Sequence, residues 1–142
     1  MIDVVMALAR RLTGRPSAED LILEIGTLVG DAGTGAVLAV QPSNPRLAMA
    51  RVARDPGGQV LFVELDLAPG ADLTMQQLER ALGPWRELPN LSVDRPPSHA
   101  FPWLDEPGAA ATVAIFARLA AEPGETTPDS RVAELLLRRD LR

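Results

Sequence analysis

In RLAMARVARDPGGQVLFVELDL, residues 46–67, the four residues Asp55-Pro56-Gly57-Gly58 separate two apolar-rich runs. Proline presets φ and glycine tolerates left-handed backbone, so these four read as a tight reversal between strands at 46–54 and 59–67. Side chains of a strand alternate between its two faces. In the second strand this puts Leu61, Val63, Leu65 and Leu67 on one side and Val60, Phe62, Glu64 and Asp66 on the other. The first side is expected to be core. Glu64 and Asp66, two residues apart on the second, are spaced to hold a divalent cation or to face a cationic surface. Solvation of an outward face accounts for them more simply, and no metal site is expected.

Working upstream, Gly30, Gly33 and Gly35 lead into the apolar run Ala36 to Val40, a further strand. They follow a helix rather than a strand, the reverse of the order in which a phosphate loop offers helix N–H groups to its ligand. That helix is expected to start at Ser17, where Ser-Ala-Glu-Asp resembles a capping box, with Leu21, Ile25, Leu28 and Val29 at helical spacing and Gly30 as its stop. Before it, residues 1–12 set Asp3, Ala7, Arg10 and Gly14 on one stripe and leave Ile2, Val4, Val5, Met6, Leu8, Ala9 and Leu12 as a broad apolar surface. Packing on the chain's own sheet is the simplest use of that surface; the alternatives are an intermolecular helix contact, as in a homodimer through the N-terminal helix, and a peripheral membrane helix. Arg10 and Arg11 cut the apolar run short of a membrane span, and Asp3 stands where a leader peptide wants positive charge. No membrane span and a cytoplasmic location are therefore expected.

Downstream, Thr74-Met75-Gln76-Gln77 is a capping box, Leu73 and Leu78 occupy staple positions, and Gly83-Pro84 ends a short internal helix. Residues 109–121 alternate Val113, Ile115, Ala117 and Leu119 inward against Thr112, Ala114, Phe116 and Arg118 outward, which favours a strand, although the alanines leave a helix open. Residues 130–139 fit either period. Val132, Leu135 and Leu136 suit a helix begun at Thr127-Pro128, whereas Ala133, Leu135 and Leu137 suit a strand; the helix is preferred. The sum is an α+β fold of a single domain, residues 1–142. Its N-terminal helices pack on a mainly antiparallel sheet of about five strands, with one short internal helix and a C-terminal helix. This order of elements resembles that of small acidic secretion chaperones, which dimerise and hold an effector segment in extended form, and similar acidic α+β domains serve as immunity proteins. The resemblance implies protein binding.

Composition narrows the chemistry. The 142 residues carry a net charge of −5, which disfavours nucleic acid and anionic membrane as partners. All 14 basic residues are arginine, so Schiff-base and P-loop lysine chemistry are excluded, and the absence of cysteine removes disulfides, thiolate nucleophiles and iron–sulfur ligation. The chain has one histidine, His99, and no tyrosine, and no serine stands in a Gly-x-Ser-x-Gly elbow. No catalytic residue and no cofactor are assigned.

The proline-rich stretch from Pro84 to Pro107 holds both tryptophans and the histidine. Within it, His99, Phe101 and Trp103 alternate, so an extended chain would point all three the same way as a recognition edge. Completion of the core by Phe101 and Trp103, with His99 at the rim, is the competing account. The binding residues expected from sequence are His99, Phe101, Trp103 and Trp85, with Phe62, Glu64 and Asp66 from the outward strand face. They suit a protein-binding module, a chaperone, adaptor or inhibitor without catalytic activity, whose acidic surface steers it to another protein with a basic surface. The alternatives are a small-ligand protein or hydrolase using His99 with Asp94 or Asp105, and a structural subunit that assembles through its first helix and a sheet edge.

Overall fold

The computed structural model describes residues 1–29, 35–89, 98–120 and 126–141. Among them are three helices, α1 (Ile2–Thr13), α2 (Ala18–Ile25) and α3 (Met75–Leu82). The strands are β1 (Gly26–Leu28), β2 (Val37–Pro42), β3 (Leu47–Arg54), β4 (Val60–Leu67), β5 (Arg86–Glu87), β6 (Ser98–Ala100), β7 (Ala111–Leu119) and β8 (Val132–Leu141). They form one eight-stranded sheet in the order β1-β2-β3-β4-β8-β7-β6-β5, antiparallel throughout. Two meanders, each preceded by a helix, thus meet where their last strands, β4 and β8, pair. Both outer strands are short, three residues in β1 and two in β5, which leaves little edge open to a further strand.

The reversal at residues 55–58 forms as predicted. Gly58 takes a left-handed φ of 85°. The Asp55 carbonyl accepts from the Gly58 N–H at 3.0 Å, and its carboxylate accepts from the Gln59 N–H at 2.9 Å. The capping box of α3 is complete: the Thr74 hydroxyl accepts from the Gln77 N–H at 3.3 Å while the Gln77 side chain accepts from the Thr74 N–H at 3.1 Å. Two further N–H groups of that first turn, on Met75 and Gln76, donate to the carbonyls of Ser130 and Pro128. Thr74→Ala is expected to cost about 1 kcal/mol and to lower the thermal midpoint by about 4 °C. An unchanged melting curve would show the hydroxyl to be idle.

Several expectations are corrected. The sheet has eight strands rather than about five, and the chain ends in a strand, not a C-terminal helix. Residues 135–137 are all leucine, so the local pattern suits either period. What selects the strand is pairing on both sides: Leu137 lies opposite Val63 of β4 and Ile115 of β7, and Leu135 opposite Leu65 and Ala117. A helix there could not fill the gap between β4 and β7. Without that helix, the layout resemblance to secretion chaperones no longer holds. The second helix also stops earlier than Gly30. Its cap at Ser17, which accepts from the Asp20 N–H, forms as read, but the chain leaves at Gly26 and enters β1 directly. A Cβ on Gly26 would fall on the carbonyl oxygen of Gln41 in the facing strand, so only glycine permits this approach.

Alternation in β4 holds for Val63 and Leu65, both buried, and fails at its start. There Val60 is buried and Leu61 is exposed, the opposite of the expected sides. The register shifts between Ala53 and Arg54, and a bulge of this kind adds one residue and inverts the sides beyond it.

One apolar core lies between the helices and one face of the sheet. Val5, Ala9 and Leu12 of α1, Leu21 and Ile22 of α2, and Met75 and Leu78 of α3 join Val40, Val52, Val63, Leu65, Ile115, Leu135 and Leu137. The apolar side of α1 packs on β7 and β8 of its own chain. Among the described residues no helix is long and apolar enough to cross a membrane. Arg139 is the unusual member of this layer: it is buried, and its guanidinium donates to the carbonyls of Leu12 (3.0 Å) and Gly14 (2.7 and 3.2 Å) at the end of α1. Burial lowers its pKa from the ordinary arginine value, Arg15 adds to the shift, and Asp55 opposes it.

Candidate functional site

The helices cover one face of the sheet, and the strand pairing defines what the other face carries. One row across the strands runs Arg51, Glu64, Leu136, Phe116, Ala100, Arg86, each directly opposite the next. A second row runs Met49, Asp66, Glu134, Arg118, Ser98, and a third runs Ala53, Phe62, Arg138, Ala114. Charged and apolar side chains therefore share the middle of an antiparallel sheet. A groove of about 710 Å³ lies over the first two rows, floored by Phe116 and Leu136.

Its electrostatics follow from one unfavourable pairing. Asp66 of β4 sits directly across from Glu134 of β8, and like charges in this position repel. Each is held by its own guanidinium: Arg51 donates to Asp66 at 2.9 Å and to Glu64 at 3.3 Å, while Arg118 donates to Glu134 at 3.2 Å and to Ser98 Oγ at 3.4 Å. Hydrogen bonding to Asp66 raises the Arg51 pKa above the ordinary arginine value against the opposing effect of burial, with Glu64 and Glu134 adding to the rise. Arg138 donates to Asp140 at 3.1 Å and lies over the Phe116 ring, 5.3 Å from its centre. The arginines lining the groove, Arg51, Arg118 and Arg138, equal in number its acids, Glu64, Asp66 and Glu134. The chain's acidic surplus thus lies elsewhere.

The residues expected from sequence divide between the two faces. Phe62, Glu64 and Asp66 lie on the open face, as alternation predicted. Glu64 and Asp66 accept from an arginine, and no group of acidic or histidine side chains suited to a metal occurs among the described residues. His99 lies opposite Ala117 on the covered face, is 0% exposed, and has its Nε2 2.8 Å from Thr126 Oγ1. Phe101 is also buried, at 4%, whereas Trp103 is 65% exposed. They do not form one edge, because β6 ends at Ala100 and one extra residue before the Leu104–Val113 bridge brings Leu104, not Trp103, to the covered side. The competing account holds for Phe101, which joins the core, and is reversed for the other two: His99 is buried and Trp103 stays outside. Trp85 packs half-buried against the core. Asp105 is exposed, and Asp94, Gly30 and Gly33 lie outside the described residues.

The residues missed were Arg51, Glu134, Leu136 and Arg138. Alternation through 46–54 would have placed Arg51 beside Glu64, but nothing local pairs β8 with either neighbour. Neither the protein-family models, the curated proteins nor the solved structures compared with the chain give a match.

Proposed function

We propose that the chain is a protein-binding module, acting in the cytoplasm as an adaptor or inhibitor without catalytic activity, and that its partner sits on the open face of the sheet. The observation that carries this is the middle of that face. A groove with an apolar floor is walled by Arg–carboxylate pairs, and Asp66 is kept across from Glu134, a like-charge pairing that Arg51 and Arg118 offset. Sequences that break a local rule tend to do so where function requires it. Every acid in the groove lining accepts a hydrogen bond from an arginine. Buried His99 lines none of the described depressions.

A homodimer through the N-terminal helix would use the exposed Asp3, Ala7, Arg10 and Arg11 of α1 with half-buried Ile2, Val4 and Leu8 beside them. Phe116 and Leu136 are half-buried in the same way on the open face, and there they line a groove with paired charges around them. The negative field of the chain steers a partner with basic surface toward it, and the balanced charges of the groove then set the register.

Native mass spectrometry of protein purified gently from its own host tests the proposal. A second polypeptide in stoichiometric amount is expected, and Leu136→Arg should abolish its retention while leaving the circular-dichroism melt close to wild type. A partner retained by Leu136→Arg would overturn the assignment of the face. A bare chain, or one carrying a small molecule instead, would overturn the protein-binding reading itself.

A further inference from the structure

Beyond Phe116 and Arg138 the open face continues into a second depression, of about 550 Å³, toward β5. The two hollows share those side chains, so one partner can span both. Their charge differs. The second is lined by Arg86 and Arg138 with Pro84, Pro102, Trp103 and Phe116, and no acidic residue is among its described lining. In a chain of net charge −5 this is a local reversal of sign. Arg138 is shared with Asp140, whereas Arg86, exposed on the edge strand, makes no ion pair among the described residues.

Trp103 is the most exposed aromatic side chain of the described residues, and its backbone is held on both sides. The Phe101 N–H donates to the Ile115 carbonyl at 3.0 Å, and Leu104 exchanges two hydrogen bonds with Val113, at 2.9 and 3.0 Å. The indole is thus offered to solvent from a fixed frame, which lowers the entropy lost when a partner covers it. Exposed Trp and Arg side by side are the residue types that dominate binding energy at protein interfaces.

We infer that this depression is the specificity pocket of the partner surface, and that it takes a carboxylate side chain flanked by apolar residues from the bound protein. The apolar flank lies on Trp103 and the prolines, and the carboxylate accepts from Arg86. The inference rests on the open-face reading above and adds the chemistry of what is recognised.

The probe is the peptide acetyl-Leu-Glu-Leu-amide, titrated into the ¹⁵N-labelled protein while the indole N–H signal of Trp103 is followed. Trp103→Phe assigns that signal, since the chain has two tryptophans. The expected result is a saturable shift, with acetyl-Leu-Gln-Leu-amide binding about tenfold more weakly. Arg86→Gln should bring the Glu peptide down to the affinity of the Gln peptide. Equal binding of the two peptides, no shift of the Trp103 signal at millimolar peptide, or an equal response to inorganic phosphate would each overturn the inference. Should Leu136→Arg release the cellular partner while Arg86→Gln retains it, the open-face reading stands and this pocket is wrong. If both variants retain the partner, the open-face reading fails too.

Discussion

Leu137→Ala is expected to lower stability by about 3 kcal/mol, moving the thermal midpoint down by about 10 °C, whereas Leu136→Ala should cost about 1 kcal/mol or less. The two leucines are neighbours in sequence and differ only in the face they occupy. Leu137 is fully buried between Val63 and Ile115 on the helix-covered side, so truncation leaves a cavity that close-packed β-strands cannot collapse. Leu136 is half-buried on the open side, where water replaces what is removed. The comparison also separates strand from helix, since a helix over these residues would turn Leu136 inward with Val132 and Leu135. Equal losses at both positions, measured by urea denaturation, would rule out the sidedness on which the candidate site depends. A small effect of Leu136→Ala on folding together with weakened partner retention is the combination that the proposed function requires.

Arg139→Met should be comparably damaging, at about 3 kcal/mol. Methionine keeps much of the volume and apolar stem but removes a fork that serves two carbonyls at the end of α1. The last carbonyls of a helix have no intrahelical donor, and burial denies them water. In many helices a glycine-centred turn satisfies them; here the donor arrives from the last strand, 127 residues away from Leu12 along the chain. A cation at this end also complements the helix dipole. Arg139→Lys should recover only part of the loss, because a single ammonium cannot match the planar geometry of the fork. A loss below about 1 kcal/mol for Arg139→Met would mean that the carbonyls find other donors.

How much of this was legible varies with the range of the interactions involved. The open-face residues Phe62, Glu64, Asp66, Phe116 and Arg118 were assigned to their side by alternation alone, because that rule needs only a strand and a reference core residue. Their joint arrangement was not legible. Arg51 meets Asp66 and Glu64 through β3–β4 pairing, but Glu134, Leu136 and Arg138 enter only when β8 inserts between β4 and β7. The aromatic edge proposed for His99, Phe101 and Trp103 failed for a related reason. It assumed unbroken alternation through residue 103, but β6 ends at Ala100 and the chain meets β7 again with Leu104, not Trp103, opposite Val113.

Turn and cap chemistry could be read directly from the chain. The reversal at residues 55–58, the Ser17 cap and the Thr74–Gln77 box formed as expected, since each is satisfied by atoms within four residues of itself. Tertiary structure alone settled the rest: β8 as a strand, the early end of α2 at Gly26, the inversion of Val60 and Leu61, and the burial of His99. In each case the local sequence pattern was compatible with more than one arrangement. The choice came from contacts with β2, β3, β4 or β7, which a strand pairing supplies and a local pattern does not encode.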